Sequence, residues 1–208
     1  MSEHFRRSSP TSPPSEWPAL TAVILAGGES RRMGRDKAWL EWNGHPLIVH
    51  AVEKARALGA AEIYISGRVG TDYSALRLPV LTDLVPGLGP LGGIERGLRE
   101  CASPLLLVLA VDLPRITLGM LTRLRARCDH WTGVVPALPG GLEPLAAIYP
   151  RRCHTFAFAA ITQGRRAARD FAKTCLQEGA VRTFPVAPAA AGCFTNWNAP
   201  ADCSPPKV

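Results

Sequence analysis

The sequence predicts an α/β domain: a single open, mostly parallel sheet with helices on both faces. Three observations predict it. Short apolar runs alternate with segments whose apolar residues recur at helical spacing. One run, Pro104-Leu-Leu-Leu-Val-Leu-Ala-Val111, is apolar almost throughout, as a parallel strand buried on both faces must be. Three of the runs also end directly on chemically distinctive residues: the Gly27-Gly28 pair, Asp83 and Asp112. Ligands of open α/β sheets sit at the carboxyl ends of strands, so these three belong on one edge.

The elements follow in order. Thr21-Ala-Val-Ile-Leu25 reads as the first strand. Pro46 opens a helix carrying Leu47, Ile48, Ala51, Val52, Ala55 and Leu58, which Gly59 stops. Glu62–Ser66 and Leu78–Thr82 read as strands, Pro79 lying near the start of the latter, where a missing N–H is tolerated. A helix over Gly92–Cys101, the Pro104–Val111 strand and a helix over Leu118–Arg127 come next. Ala137-Leu-Pro-Gly-Gly141 reads as a loop between strands, and Phe156, Phe158 and Phe171 as helix core. Residues 1–18, rich in Ser and Pro, read as a disordered leader ahead of one domain over 19–208.

Composition narrows the function. The chain has 208 residues, a 47% hydrophobic content and a net charge of +7. No dense Lys/Arg tract interleaves with aromatics, which argues against nucleic acid; an anionic substrate accounts for the surplus. None of the cysteines (Cys101, Cys128, Cys153, Cys175, Cys193, Cys203) is spaced C-x-x-C, and no histidine pair has ligand spacing. No apolar run is long enough for a signal or a membrane span, so the expected setting is the cytoplasm with reduced thiols.

The run Leu25-Ala-Gly-Gly-Glu-Ser-Arg-Arg-Met-Gly-Arg-Asp-Lys37 says most. Glycines after a strand let backbone N–H groups approach a ligand with no Cβ in the way, and Arg and Lys neutralise phosphate charge. The loop therefore suits a polyphosphate. Arg35 after Gly34 breaks the Walker A pattern, and Gly27-Gly28-Glu29 breaks the dinucleotide G-x-G-x-x-G.

The run instead resembles L-A-[GA]-G-x-S-x-R-M-G-x-x-K, the signature of nucleotidyltransferases on a Rossmann-like sheet. Thr82-Asp83 and Gly89-Pro-Leu-Gly-Gly93 resemble that group's D-x-x-x-x-x-G-P-L-[AG]-G block, and Asp112-Leu-Pro114 its D-x-P. Glu143-Pro-Leu-Ala-Ala-Ile-Tyr149 and Phe194-Thr-Asn196-Trp-Asn198-Ala-Pro200-Ala-Asp202 resemble the E-P-L-x-A-x-Y and F-x-N-x-N-T-P-E-D blocks of molybdenum cofactor guanylyltransferases. Ala199 and Ala201 depart from the last pattern, and Ser66 stands where close relatives have Asn.

The resemblance implies transfer of GMP from GTP to molybdopterin or Mo-molybdopterin, with release of pyrophosphate. It implies GTP contacts at Leu25, Ala26, Gly27, Gly28, Ser30, Lys37, Ser66, Asp83, Gly89, Pro90, Leu91 and Asp112. Arg32, Lys37 and Asp112 are the expected catalytic residues, Asp112 also holding Mg²⁺, which prefers one or two carboxylates plus phosphate oxygens. Asn196 and Asn198, two apart on an extended segment, would point the same way and grip the pterin. Arg31 and Arg35 are read as solvated. Guanine preference rests on Gly27, where cytidylyl relatives have Ala. Cofactor-delivery proteins or apo-molybdoenzymes are the expected protein partners; no nucleic acid and no membrane is expected. The alternatives are a cytidylyl- or sugar-phosphate nucleotidyltransferase on the same scaffold, or a GTP-binding adaptor without transfer chemistry.

Overall fold

The computed structural model describes residues 17–27, 36–82 and 87–197. Ten strands and five helices make up the regular structure of these residues. The first half holds β1 (Leu20–Leu25), β2 (Glu41–Trp42), β3 (His45–Pro46), α1 (Leu47–Ala57), β4 (Glu62–Ser66), β5 (Val80–Leu81) and α2 (Pro90–Glu100). The second half holds β6 (Leu105–Ala110), α3 (Leu118–Arg125), β7 (Gly133–Leu138), β8 (Gly141–Leu142), β9 (Ala146–Pro150), α4 (His154–Thr162), α5 (Ala168–Gln177) and β10 (Val181–Pro185).

The main sheet runs β10-β7-β9-β6-β1-β4-β5, with β8 paired to β7. β1 lies parallel to both β4 and β6, and all six of its residues are buried, as are all six of β6. Burial on both faces explains why neither strand alternates in polarity. Helices α1 and α3 pack on one face of the sheet, α2, α4 and α5 on the other.

The sheet is mixed: β9 runs antiparallel to β6 and β7, and β8 antiparallel to β7. The segment 137–141 is shorter as a loop than expected. Strand β7 continues to Leu138 and β8 starts at Gly141, whose φ of 111° suits a residue without Cβ. Helix α2 starts two residues earlier than its glycine pair suggests, because Pro90 is favourable in a first turn, where an N–H would be unsatisfied anyway. Phe158 is a correction: it is 58% exposed and stacks on His154 one turn earlier, while Ala157 and Ala160 face the core. Helix α4 is apolar nearly all round, so periodicity could not choose its inner face. Phe171 is buried against Tyr149.

At the edge remote from the Gly27 end, Arg125 donates to the carbonyls of Leu58 and Pro18 and lies over the Trp17 ring. Trp17 and Pro18, counted with the leader in the sequence, are therefore held against the domain. The rest of the proposed leader, residues 1–16, lies outside the described residues.

Helix α2 sits close to the sheet because it has glycine where it crosses β1. A Cβ at Gly97 would lie 2.9 Å from Val23 Cβ and 3.1 Å from a Leu106 methyl. One at Gly93 would lie 2.7 Å from a Leu25 methyl and collide with the Ser66 hydroxyl. Gly97→Ala should therefore lower stability by about 1–3 kcal/mol through overpacking. Urea unfolding checks this, with a fall in the midpoint and an unchanged slope as the expected result.

Candidate active site

The carboxyl ends of β1, β4 and β6 open into a cavity of about 490 Å³. Leu25, Ala26, Gly27, Lys37, Ser66, Gly87, Gly89, Pro90, Ala110, Val111, Asp112 and Leu145 line it. Backbone pairing continues past the strand ends: Ala26 N–H donates to Ser66 O at 2.9 Å, and Val111 N–H to Leu25 O at 3.2 Å. These bonds hold the start of the glycine loop beside the residue that precedes Asp112.

Lys37 stands at the head of a 3-10 turn, Lys37–Trp39. The preceding Asp36 caps the turn, its Oδ1 accepting from Ala38 N–H at 3.0 Å. Its Oδ2 accepts from the hydroxyls of Thr71 at 2.9 Å and Tyr73 at 3.1 Å. Tyr73 in turn accepts from Arg68 N–H. Asp36 thus ties the lysine turn to the segment after β4. Lys37 Nζ lies 3.5 Å from Asp112 Oδ2, beyond the 2.7–2.9 Å typical of a strong charge-assisted bond. Asp112 Oδ1 is buried and has no hydrogen-bond partner among the described residues. A buried carboxylate oxygen without a donor is costly, and a hard cation bound there would satisfy it. Among the described residues no cluster of three or more His, Cys, Asp or Glu could hold a metal by itself, so such a cation would take most of its ligands from substrate and water.

Helix α2 points its first turn at the cavity, behind Gly89 with φ 61° and ψ −154°. Pro90 has no N–H and the Gly92 N–H donates to Gly89 O at 3.2 Å, so it is the positive end of the helix dipole that favours anionic or electron-rich groups there. A Cβ on Gly27 would meet the Gly67 and Ser66 carbonyl oxygens at 3.6 and 3.7 Å, ordinary contact distances. The protein around Gly27 therefore has room for an alanine methyl.

Of the residues expected from the sequence, Leu25, Ala26, Gly27, Lys37, Ser66, Gly89, Pro90 and Asp112 come together in the cavity. The side chain of Leu91 does not line it: it is fully buried in the core, because the 3.6-residue turn of α2 faces it toward the sheet. Asn196 is exposed and does not line the cavity, while Trp197 beside it is buried and donates its N–H to Asp112 O at 2.9 Å. Gly28, Ser30, Arg32, Asp83 and Asn198 lie outside the described residues, as do Arg31 and Arg35.

Asp36, Gly87 and Leu145 were not singled out by the sequence. Asp36 immediately precedes the signature lysine, which is the one local signal for it. Leu145 sits in the Glu143-Pro-Leu block, and its carbonyl accepts from Ala110 N–H at 2.8 Å. A larger hollow of about 740 Å³ lies at the opposite edge, lined among others by Arg99, Trp131, Arg151 and Arg152. No carboxylate and none of the glycine-loop residues line it, so the candidate chemistry belongs to the smaller cavity.

Glu143 is buried beside the site, and its Oε1 accepts from Leu145 N–H at 3.0 Å. Burial pushes its carboxyl above the ordinary value of 4.5; the Asp112 charge adds to this, and the Leu145 bond and Arg169 oppose it. The folded state therefore holds this proton more tightly than the unfolded chain does. Its stabilising contribution is complete below the ordinary value and is lost as pH rises through the raised one. Glu143→Gln keeps the acceptor to Leu145 and removes the titration. Thermal melts from pH 4 upward should show the variant gaining on the wild type as pH rises through the raised value.

Residues 22–180 match the model of the MobA-like NTP transferase domain. A probable molybdenum cofactor guanylyltransferase of Opitutus terrae is 35% identical over 187 residues, covering 88% of this chain and 93% of that protein. The crystal structure of molybdopterin-guanine dinucleotide biosynthesis protein A from Archaeoglobus fulgidus superposes with a TM-score of 0.68 at 26% identity, covering 88% of this chain and 94% of that one. The 2-C-methyl-D-erythritol 4-phosphate cytidylyltransferase of Thermus thermophilus shares the fold, with a TM-score of 0.67 at 19% identity over 87% of this chain and 94% of its own. With the glycine-loop strand, the lysine turn and the aspartate at one sheet edge, this chain belongs to the MobA-like NTP transferase family.

Proposed function

We propose that this nucleotidyltransferase moves GMP from GTP to the terminal phosphate of molybdopterin, in its molybdenum-loaded form, and releases pyrophosphate. The observation that carries the reading is the Lys37–Asp112 pair at the cavity mouth, with the second Asp112 oxygen buried and unpartnered. The names of the Opitutus and Archaeoglobus relatives supply the base and the acceptor.

In this reading an acceptor phosphate oxygen attacks the α-phosphorus of GTP. One P–O bond forms, and the bond to the bridging oxygen of the β-phosphate breaks. No side-chain nucleophile is needed; positioning and charge neutralisation do most of the work. Lys37 is the point charge on the triphosphate, held in place by the bonds from Asp36 to Thr71 and Tyr73. Asp112 would hold Mg²⁺, which when bound offsets charge on the phosphate oxygens. Gly27 and the Gly89–Pro90 start of α2 form the walls between which the nucleotide lies, and the glycine backbone admits it closely. Arg32 is assigned to the departing pyrophosphate, and Asn196 and Asn198 to the pterin. Among the described residues no helix is long and apolar enough to cross a membrane, and a cytoplasmic setting with delivery to cofactor-accepting proteins fits the proposed product.

Product analysis after incubation with Mo-molybdopterin, Mg²⁺ and either GTP or CTP tests this directly. A GMP adduct and pyrophosphate, absent with CTP, are expected. A CMP adduct would keep the reaction and overturn the base, while GTP binding without any adduct would favour an adaptor. Asp112→Ala should fold normally and lose a factor on the order of 10² or more in turnover, the scale of lost metal-based charge stabilisation. Turnover within a few-fold of wild type would remove Asp112 from the metal.

A further inference from the structure

Two residues with no part in the reading so far converge on the turn that carries Asp112. Lys54, on α1, reaches across to donate from Nζ to the Pro114 carbonyl at 2.7 Å. Its ammonium lies 5.8 Å from the centroid of the Trp42 ring, a cation–π distance. Trp42 meets Trp197 edge-on with centroids 5.6 Å apart, and Trp197 N–H holds the Asp112 carbonyl at 2.9 Å. The short Asp112–Pro114 turn is thus gripped at both end carbonyls by remote parts of the chain, and the two grips touch through an indole pair.

The side chain of Asp112 has little else to orient it. Lys37 stands 3.5 Å from one oxygen, and the other has no partner among the described residues. The direction of the carboxylate is therefore set by its backbone, which the pairing of Val111 to β1 and the Leu113 N–H to Ala110 O bond start off, and which Lys54 and Trp197 hold at the carbonyls of Pro114 and Asp112. Burial also pushes the Lys54 ammonium down to about 8, against the raising effect of Glu53. The half-buried ammonium holds the Pro114 carbonyl with a charge-assisted bond.

We propose that Lys54 is a positioning residue for nucleotidyl transfer: through Pro114 and the Trp42–Trp197 pair it aims the Asp112 carboxylate at a divalent cation. The proposal rests on the reading of Asp112 as the metal ligand. Outer partners that orient a ligand commonly contribute 10- to 100-fold in metal affinity, and a single carbonyl contact belongs at about the lower end of that range.

The test is Mn²⁺ binding in the presence of the α,β-methylene analogue of GTP, followed by electron paramagnetic resonance of the free ion, with kcat, KM and thermal melts on the same proteins. Lys54→Met should bind Mn²⁺ on the order of 10-fold more weakly and lose a similar factor in kcat, with KM for GTP within about twofold. Lys54→Arg, which can reach the carbonyl and stack on the indole, should recover most of both. Trp42→Leu, which leaves Lys54 in place, should shift Mn²⁺ affinity the same way by a smaller factor. Unchanged Mn²⁺ affinity in Lys54→Met, whatever happens to its melting temperature, overturns the proposal. Asp112→Asn separates the two levels. If it weakens Mn²⁺ binding while Lys54→Met does not, the ligand stands and the positioning role falls. If Asp112→Asn itself leaves Mn²⁺ binding unchanged, the ligand assignment falls and takes this inference with it.

Discussion

The hydrogen bonds that run past the ends of β1 and β6 are what the site depends on. A one-residue slip of two strands buried on both faces would exchange the side chains that meet the helices on either side and break both packed layers. Their pairing fixes Leu25 against Ala110, and the bond from Val111 N–H to Leu25 O carries that alignment one step beyond the sheet. The glycine that gives access to a ligand and the aspartate that carries charge then leave the sheet side by side. Everything else at this edge adjusts to that pair: the first turn of α2 from one side, the lysine turn from another, and the reversed strand β9, which brings Leu145 back to the same edge.

Much of the framework was legible because hydrophobic periodicity reports burial directly. The continuous apolar stretch over Leu105–Ala110 reads as a doubly covered strand, which placed Asp112, as the Thr21–Leu25 strand placed Gly27. The reversal of β9 was not legible. Its residues are apolar in either direction, and strand polarity is decided by the tight β7–β8 turn and by which neighbour is free, neither of which a local pattern encodes. The inner face of α4 was hidden for a related reason: a helix with phenylalanine and alanine on nearly every side offers several faces to the core, and Phe158 ended outside.

The site divides the same way. Residues carried by contiguous motifs, such as Gly27, Lys37 and Asp112, could be found one motif at a time. Residues that act by reaching across the fold could not. Asp36 shows its purpose only once Thr71 and Tyr73 are seen beside it, and Lys54 looks like any helix-surface lysine until α1 is laid against the Pro114 turn. Leu91 shows the reverse case. It belongs to a motif, yet helical geometry turns its side chain inward, so that Pro90, and not Leu91, lines the cavity.

The glycine seam between α2 and β1 has a mechanical consequence. With Gly93 and Gly97 letting the helix rest on the Val23 and Leu25 side chains, α2 is already at the bottom of its travel and cannot sink further to admit a bulkier ligand. The opposing wall is of another kind: Lys37 rides on a single 3-10 turn moored by the polar bonds of one aspartate. The two walls of the cavity thus differ in kind, one set by apolar packing of helix on sheet and the other by the polar bonds of a capping carboxylate.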